Sequence, residues 1–196
     1  MKLTKLAAVN LVISSIGQSP VTSIDNANPM IATAVSILDE VTNSVQSEGW
    51  SYNTECGYPF PVDVNGKIAI PTNVVSLDGP YVDHKYDLIV RGGYLYDKRN
   101  HTSTFTENLE LDVVWLFEFE DLPEPFRQYI AIRSANLFAG RAVGSAEQVR
   151  FGDREEAAAR ASILEFETQQ GDYNMLGTSK NENFRTYTPF NAGYRY

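Results

Sequence analysis

Between Leu109 and Phe119 apolar residues fall at every second position: Leu109, Leu111, Val113, Trp115, Phe117 and Phe119. Glu110, Asp112, Glu118 and Glu120 take the alternate side. A period of two predicts a strand with one buried face and one wet, acidic face. Val114 and Leu116 interrupt the polar side, so the middle of that face is expected to be covered by something else. Asp121-Leu122-Pro123-Glu124 ends the strand, with Asp121 as the expected helix cap and Pro123 in the first turn, where proline is tolerated. Phe126, Ile130, Ser134 and Leu137 then recur at helical spacing. Helical patterns both precede and follow the β-rich middle, so the chain reads as helices, a β insert, then helices.

Two helices are expected before the insert. Thr4 can cap the first, whose apolar face is Leu6, Val9, Ile13 and Ile16, and Gly17 suits its left-handed end. Asn28-Pro29 opens the second, a cap residue followed by proline at the first helical position. Its stripe is Ile31, Ala34, Val35, Leu38, Val41 and Val45, ending near Glu48-Gly49, with Trp50 and Tyr52 stapling the end to the core. After the insert, the helix from Pro123 to about Ala139 meets a turn at Gly140 and Gly144. Ser145 caps a final helix that is weakened at Gly152 and ends at Gly171. Glu156 and Arg160 form an i,i+4 pair there, and Ile163, Leu164 and Phe166 supply its apolar contacts.

Within the insert, Asn65-Gly66 between Val62 and Ile70 predicts one hairpin. Gly92-Gly93 between Leu88 and Asp97 predicts a second, followed by a polar loop from Lys98 to Thr104. The last residues are aperiodic yet hold Tyr173, Phe184, Tyr187, Phe190, Tyr194 and Tyr196. Disordered tails are poor in aromatics, so this segment reads as an arm that becomes ordered in a groove on a neighbour. The expected fold is α+β: a bundle of about four helices, an inserted antiparallel β subdomain and an extended C-terminal arm. Its parts are residues 1–55, 56–121, 122–171 and 172–196.

Composition narrows the function. A net charge of −9 and a pI near 4.7 disfavour gripping nucleic acid by its phosphates, though an acidic wall lets a polyanion slide past. The single cysteine, Cys56, excludes an internal disulfide framework and a cysteine-built zinc site. Residues 1–16 read as a mature helix rather than a signal peptide, and no apolar run is long enough to span a membrane. His84 and His101 lie in separate loops without ligand spacing, and neither a nucleophile elbow nor a phosphate loop is present. The carboxylates Glu110, Asp112, Glu118, Glu120 and Asp121 are the one enzymatic alternative, as a glycan hydrolase, against their ordinary reading as a wet surface. A generic acidic binding module would be a monomer.

Five stretches carry a resemblance. They are Ala8–Gly17, Ser47–Asn53, Arg91–Asp97, Leu122–Arg127 and Gly171–Leu176. In that order, over about residues 6 to 176, they resemble the tail tubular protein A family, the head-to-tail adaptors of short-tailed bacteriophages (podoviruses). The resemblance implies a structural virion protein without enzymatic activity, cofactor or metal, assembled in the host cytoplasm. It implies a dodecameric ring between the portal protein and the nozzle protein, tail tubular protein B, with tail fibres docking near the lower junction. Viral DNA would pass through the lumen without specific binding. The six arm aromatics named above are then the expected portal-facing contacts, and the two hairpins face the nozzle or fibre.

Overall fold

The computed structural model describes residues 2–25, 27–78, 86–142 and 146–170. It is an α+β fold with four helices, α1 (Lys5–Ser14), α2 (Pro29–Gln46), α3 (Glu124–Ala142) and α4 (Ala146–Gln170). Between α2 and α3 run β1 (Thr54–Phe60), β2 (Val74–Asp78), β3 (Leu88–Arg91), β4 (Tyr94–Asp97) and β5 (Leu109–Trp115).

The helix starts follow from their caps. The Thr4 hydroxyl accepts the Ala7 amide, and the Asn28 side chain accepts that of Met30 one residue before Pro29. The buried face of α1 is Ala8, Val9, Val12 and Ile13, while Leu6 and Ile16 are half-buried, because α2 and α3 both press on this helix. α2 ends at Gln46 and buries Ile37 as well as the expected stripe, with Val35 half-buried. Gly49, at φ +72°, releases the chain from α2.

The strand expected through Phe119 stops at Trp115. Past it, the Gln46 side chain takes both backbone groups of Phe117, accepting its amide at 2.8 Å and donating to its carbonyl at 3.0 Å. Phe119 stays buried but opens a short 3-10 turn, Phe119–Asp121. Asp121 belongs to that turn rather than capping α3, which starts at Glu124, immediately after Pro123. α3 also runs through Gly140 to Ala142, so the turn expected at Gly140 is helical.

β5 is the centre of an antiparallel sheet ordered β1-β5-β2. β3 and β4 form the hairpin read from Gly92-Gly93, whose φ values of +59° and +80° fit a two-residue turn. The Asn65-Gly66 hairpin is corrected. Its turn exists, held by the Asp63 carboxylate on the amides of Asn65 and Lys67 and by the Asp63 amide donating to the Lys67 carbonyl at 2.8 Å, but no strand pair extends from it. Ile68 and Ile70 are instead drawn to β4, where Leu95 donates to Ile68 and Ile70 to Gly93, both at 2.9 Å. The two sheets face each other across one core of Phe60, Ile68, Leu95, Leu111, Val113 and Trp115. A larger core fills the helical part, and Phe117 packs against both.

Candidate interaction surfaces

A subunit that bears load needs its two parts fixed to each other. Gln46 and Asn53, both fully buried, make that joint. Beyond the Gln46–Phe117 pair, the Asn53 amide donates to the carbonyls of Gln46 and Trp115 and its oxygen accepts the Trp50 amide. The end of α2 and the end of β5 are thus tied by buried amides with good partners, where loss of one partner is costly. Trp50 adds a second donor, at 2.7 Å, to the Val45 carbonyl, which also accepts the Glu48 amide, and its ring stacks edge-on against Phe126 at 5.0 Å. The staple expected of Trp50 and Tyr52 is present. Tyr52 lies 4.6 Å from the Phe126 ring, its hydroxyl without a hydrogen-bond partner among the described residues. Burial, reinforced by Glu167 and Glu48, pushes that phenol well above its ordinary range.

α4 is held mostly by polar contacts. Ile163 is buried and Phe166 packs on the core, but Leu164 is 50% exposed, contrary to expectation, because it lies off that face. The expected Glu156–Arg160 pair is not made. Arg160 instead lies over the Trp50 ring at 4.7 Å and reaches the Glu48 carboxylate, while Glu156 accepts from Asn136 and pairs with Arg133. Tertiary partners displace the i,i+4 neighbour since α4 packs on α3 and reaches Glu48, Trp50 and Ser51 in the segment after α2. Glu167 accepts both the amide and the hydroxyl of Ser51 at 2.9 Å. Arg141 grips Glu40 through both its guanidinium nitrogens at 3.0 Å, and that hydrogen bond and charge hold the Glu40 carboxyl below its usual range. A groove of about 300 Å³ is lined by Tyr129, Asp153, Glu156, Ala157 and Arg160, of which Glu156 and Arg160 are already engaged as above.

The five carboxylates of the hydrolase alternative do not share a face. Glu110 and Asp112 lie on the outer side of β5, whereas Glu118, Glu120 and Asp121 sit beyond its end on and before the 3-10 turn. Asp112 accepts the Gly57 amide and Glu120 that of Lys5, so both serve local backbone. Val114, on the same outer side, is half-buried beside Gly49 and Thr54, which is the cover expected over that face. Among the described residues no group of three His, Cys, Asp or Glu side chains is placed to hold a metal, and no helix is long and apolar enough to cross a membrane. His101 is exposed in its loop at φ +54°, and Cys56 is exposed.

On the hairpin layer, Arg91 lies 4.1 Å over Tyr96 and Lys67 5.2 Å over Tyr94. Sequence reading singled out the hairpin turns but missed this face. Tyr94 and Tyr96 two apart on a short strand were its signal. It also missed Gln46, which follows the apolar stripe of α2, and Asn53. His84, Gly144, Ser145, Gly171 and the arm residues Tyr173, Phe184, Tyr187, Phe190, Tyr194 and Tyr196 lie outside the described residues.

A helical bundle locked to a β subdomain by the buried amides of Gln46 and Asn53 makes the two parts one rigid building block. The family model of tail tubular proteins matches residues 6–173, and the chain belongs to that family, a family of structural, non-enzymatic components of the bacteriophage virion tail. Tail tubular protein A of Klebsiella phage KP34 is 31% identical over 129 residues, covering 66% of this chain and 68% of the relative.

Proposed function

We infer that the chain is a head-to-tail adaptor, a subunit of a ring between the portal and the tail nozzle whose lumen passes the genome. The observation that carries this reading is the match to tail tubular proteins along residues 6–173, over which the adaptor-like motifs occur in order. The rigid joint at Gln46 and Asn53 suits a ring wall, since it lets one interface fix the position of both parts of the subunit. The ring is taken as dodecameric. A net charge of −9 favours a lumen that does not retain DNA. The C-terminal aromatics, Tyr173, Phe184, Tyr187, Phe190, Tyr194 and Tyr196, are assigned to the portal, and the turns at Asn65-Gly66 and Gly92-Gly93 to the nozzle and tail fibre. A ring spreads weak contacts over many copies, so each joint can be modest and the assembly lasting.

Deleting residues 177–196 tests the arm assignment by co-sedimentation with portal rings. Loss of portal binding with a retained helical spectrum is expected. Undiminished binding would remove the arm from the portal interface.

A further inference from the structure

Charged residues make up 21% of the chain, yet two flanks of the helical bundle present none. In α1 the exposed residues are Ala7, Leu11 and Ser14, with the cap Thr4 exposed just before them. Lys5 is half-buried and turned to Asp39. A helix of 10 residues with no charged residue exposed has the composition of a covered helix. Leu11 is nevertheless 36% exposed.

The outer side of α4 repeats the pattern. From Ala157 to Leu164 its exposed residues are Ala157, Ala158, Ala161, Ser162 and Leu164, while Arg160 turns inward to Glu48. Exposed charges return only outside that span, at Asp153–Glu155 and at Glu165. Ala157 also lines the groove over Tyr129, so a hollow continues the stripe. A single exposed leucine is ordinary, whereas an uncharged stripe around one on each of two helices calls for a cover. α3 packs on both α1 and α4, and no comparable packing joins α1 to α4, so the stripes lie on different flanks.

The stripes also match each other. Thr4, Ala7, Leu11 and Ser14 are spaced three, four and three, and Ala157, Ala161, Leu164 and Thr168 four, three and four. That alternation is the seam of helices packed side by side. At about 1.5 Å per residue, each seam is roughly 15 to 17 Å long. Each carries one leucine among small residues, so the leucine of either seam finds alanine across from it, large against small.

We propose that these seams meet in successive copies of this chain: the Ala7–Leu11 stripe of α1 on one subunit packs on the Ala157–Leu164 stripe of α4 on the next. The occupant is a second copy because each stripe finds its match in length, spacing and bulk on another flank of the same chain. Contact between two different patches is head-to-tail, the geometry that closes into rings. It leaves the β turns and the C-terminal aromatics free for the other partners assigned above. The proposal rests on the ring reading and specifies which surfaces build the ring.

Placing charges on the seams of the full-length protein tests it. One variant carries Ala7→Glu and Leu11→Glu, the other Ala157→Lys and Ala161→Lys. All four positions are exposed, so both variants are expected to melt close to the wild type. Native mass is read alone and on portal rings. Each variant is expected to lose self-association at least about tenfold, because it would bury unpaired charge, and an equimolar mixture to recover it by alternation. Impairment of one variant only, wild-type assembly by both, or a mixture that fails to recover would overturn this pairing while leaving the ring reading standing. A wild type that never assembles, alone or on the portal, would instead remove the ring reading itself. Leu11→Ser with Leu164→Ser, checked by its melting curve, gives the same readout if a charged variant unfolds: weakened assembly is expected, and wild-type assembly would overturn the pairing.

Discussion

The helical bundle and the β layers use their charges in different ways. In the bundle, Arg127, Arg141 and Arg160 are each spent on an internal carboxylate, and together they tie α2, α3, α4 and the N-terminal segment. In the hairpin layer, Arg91 and Lys67 stay at the surface on aromatic rings. Charges of the first kind hold the fold, and those of the second remain available to another molecule. The difference places the internal ties in the bundle and leaves two ring-seated cations on the surface of the hairpin layer.

The largest effect is expected from breaking the bundle side. Phe126 is fully buried against Trp50, Tyr52 and Phe166. Phe126→Ala should cost about 3–5 kcal/mol in denaturant unfolding, with the cost set by how far the site collapses. Gln46→Ala attacks the joint by orphaning the backbone groups of Phe117, and about 1–3 kcal/mol should be lost. Arg160→Ala should cost only about 1 kcal/mol, since its pair with Glu48 is about one-third exposed on both sides, and part of the loss is packing on Trp50. Arg91→Ala should change stability by less than about 0.5 kcal/mol, since its side chain lies on the surface over Tyr96. Thermal melts of the four variants beside the wild type check that order.

Acid should act through both regions. Burial opposes ionisation of Asp97 and Glu124, but hydrogen bonds win and hold both carboxyls below their usual values of 3.8 and 4.5. Asp97 accepts the amides of Asp87 and Arg99 and the Asn100 side chain, and Glu124 accepts the Leu3 amide. A depressed folded-state value means stability that is full above the unfolded value and lost as pH falls through the folded one. Melting temperature should therefore decline below about pH 4, and Asp97→Asn should flatten that decline.

Much of the fold was legible in local signals. Asn28-Pro29 starts α2, Gly92-Gly93 turns the hairpin, and alternation from Leu109 marks β5, because each depends on neighbours in sequence. What failed depended on partners far away. The end of β5 is decided by Gln46, 71 residues from Phe117, and Arg160 chooses Glu48, 112 residues away, over Glu156. The Ile68–Ile70 segment pairs with β4 because its apolar side finds the shared core there. The acidic constellation looked continuous only while the strand was drawn through Phe119. The tyrosine–cation face was hidden because Lys67, Arg91 and Tyr94 are brought together by register, not by spacing.

The most direct test of the central claim, a ring subunit at the head–tail junction, is native mass of the full chain, alone and mixed with portal rings. A closed oligomer, or many copies bound to each portal ring, is the result this account requires. A monomer in both samples would contradict it.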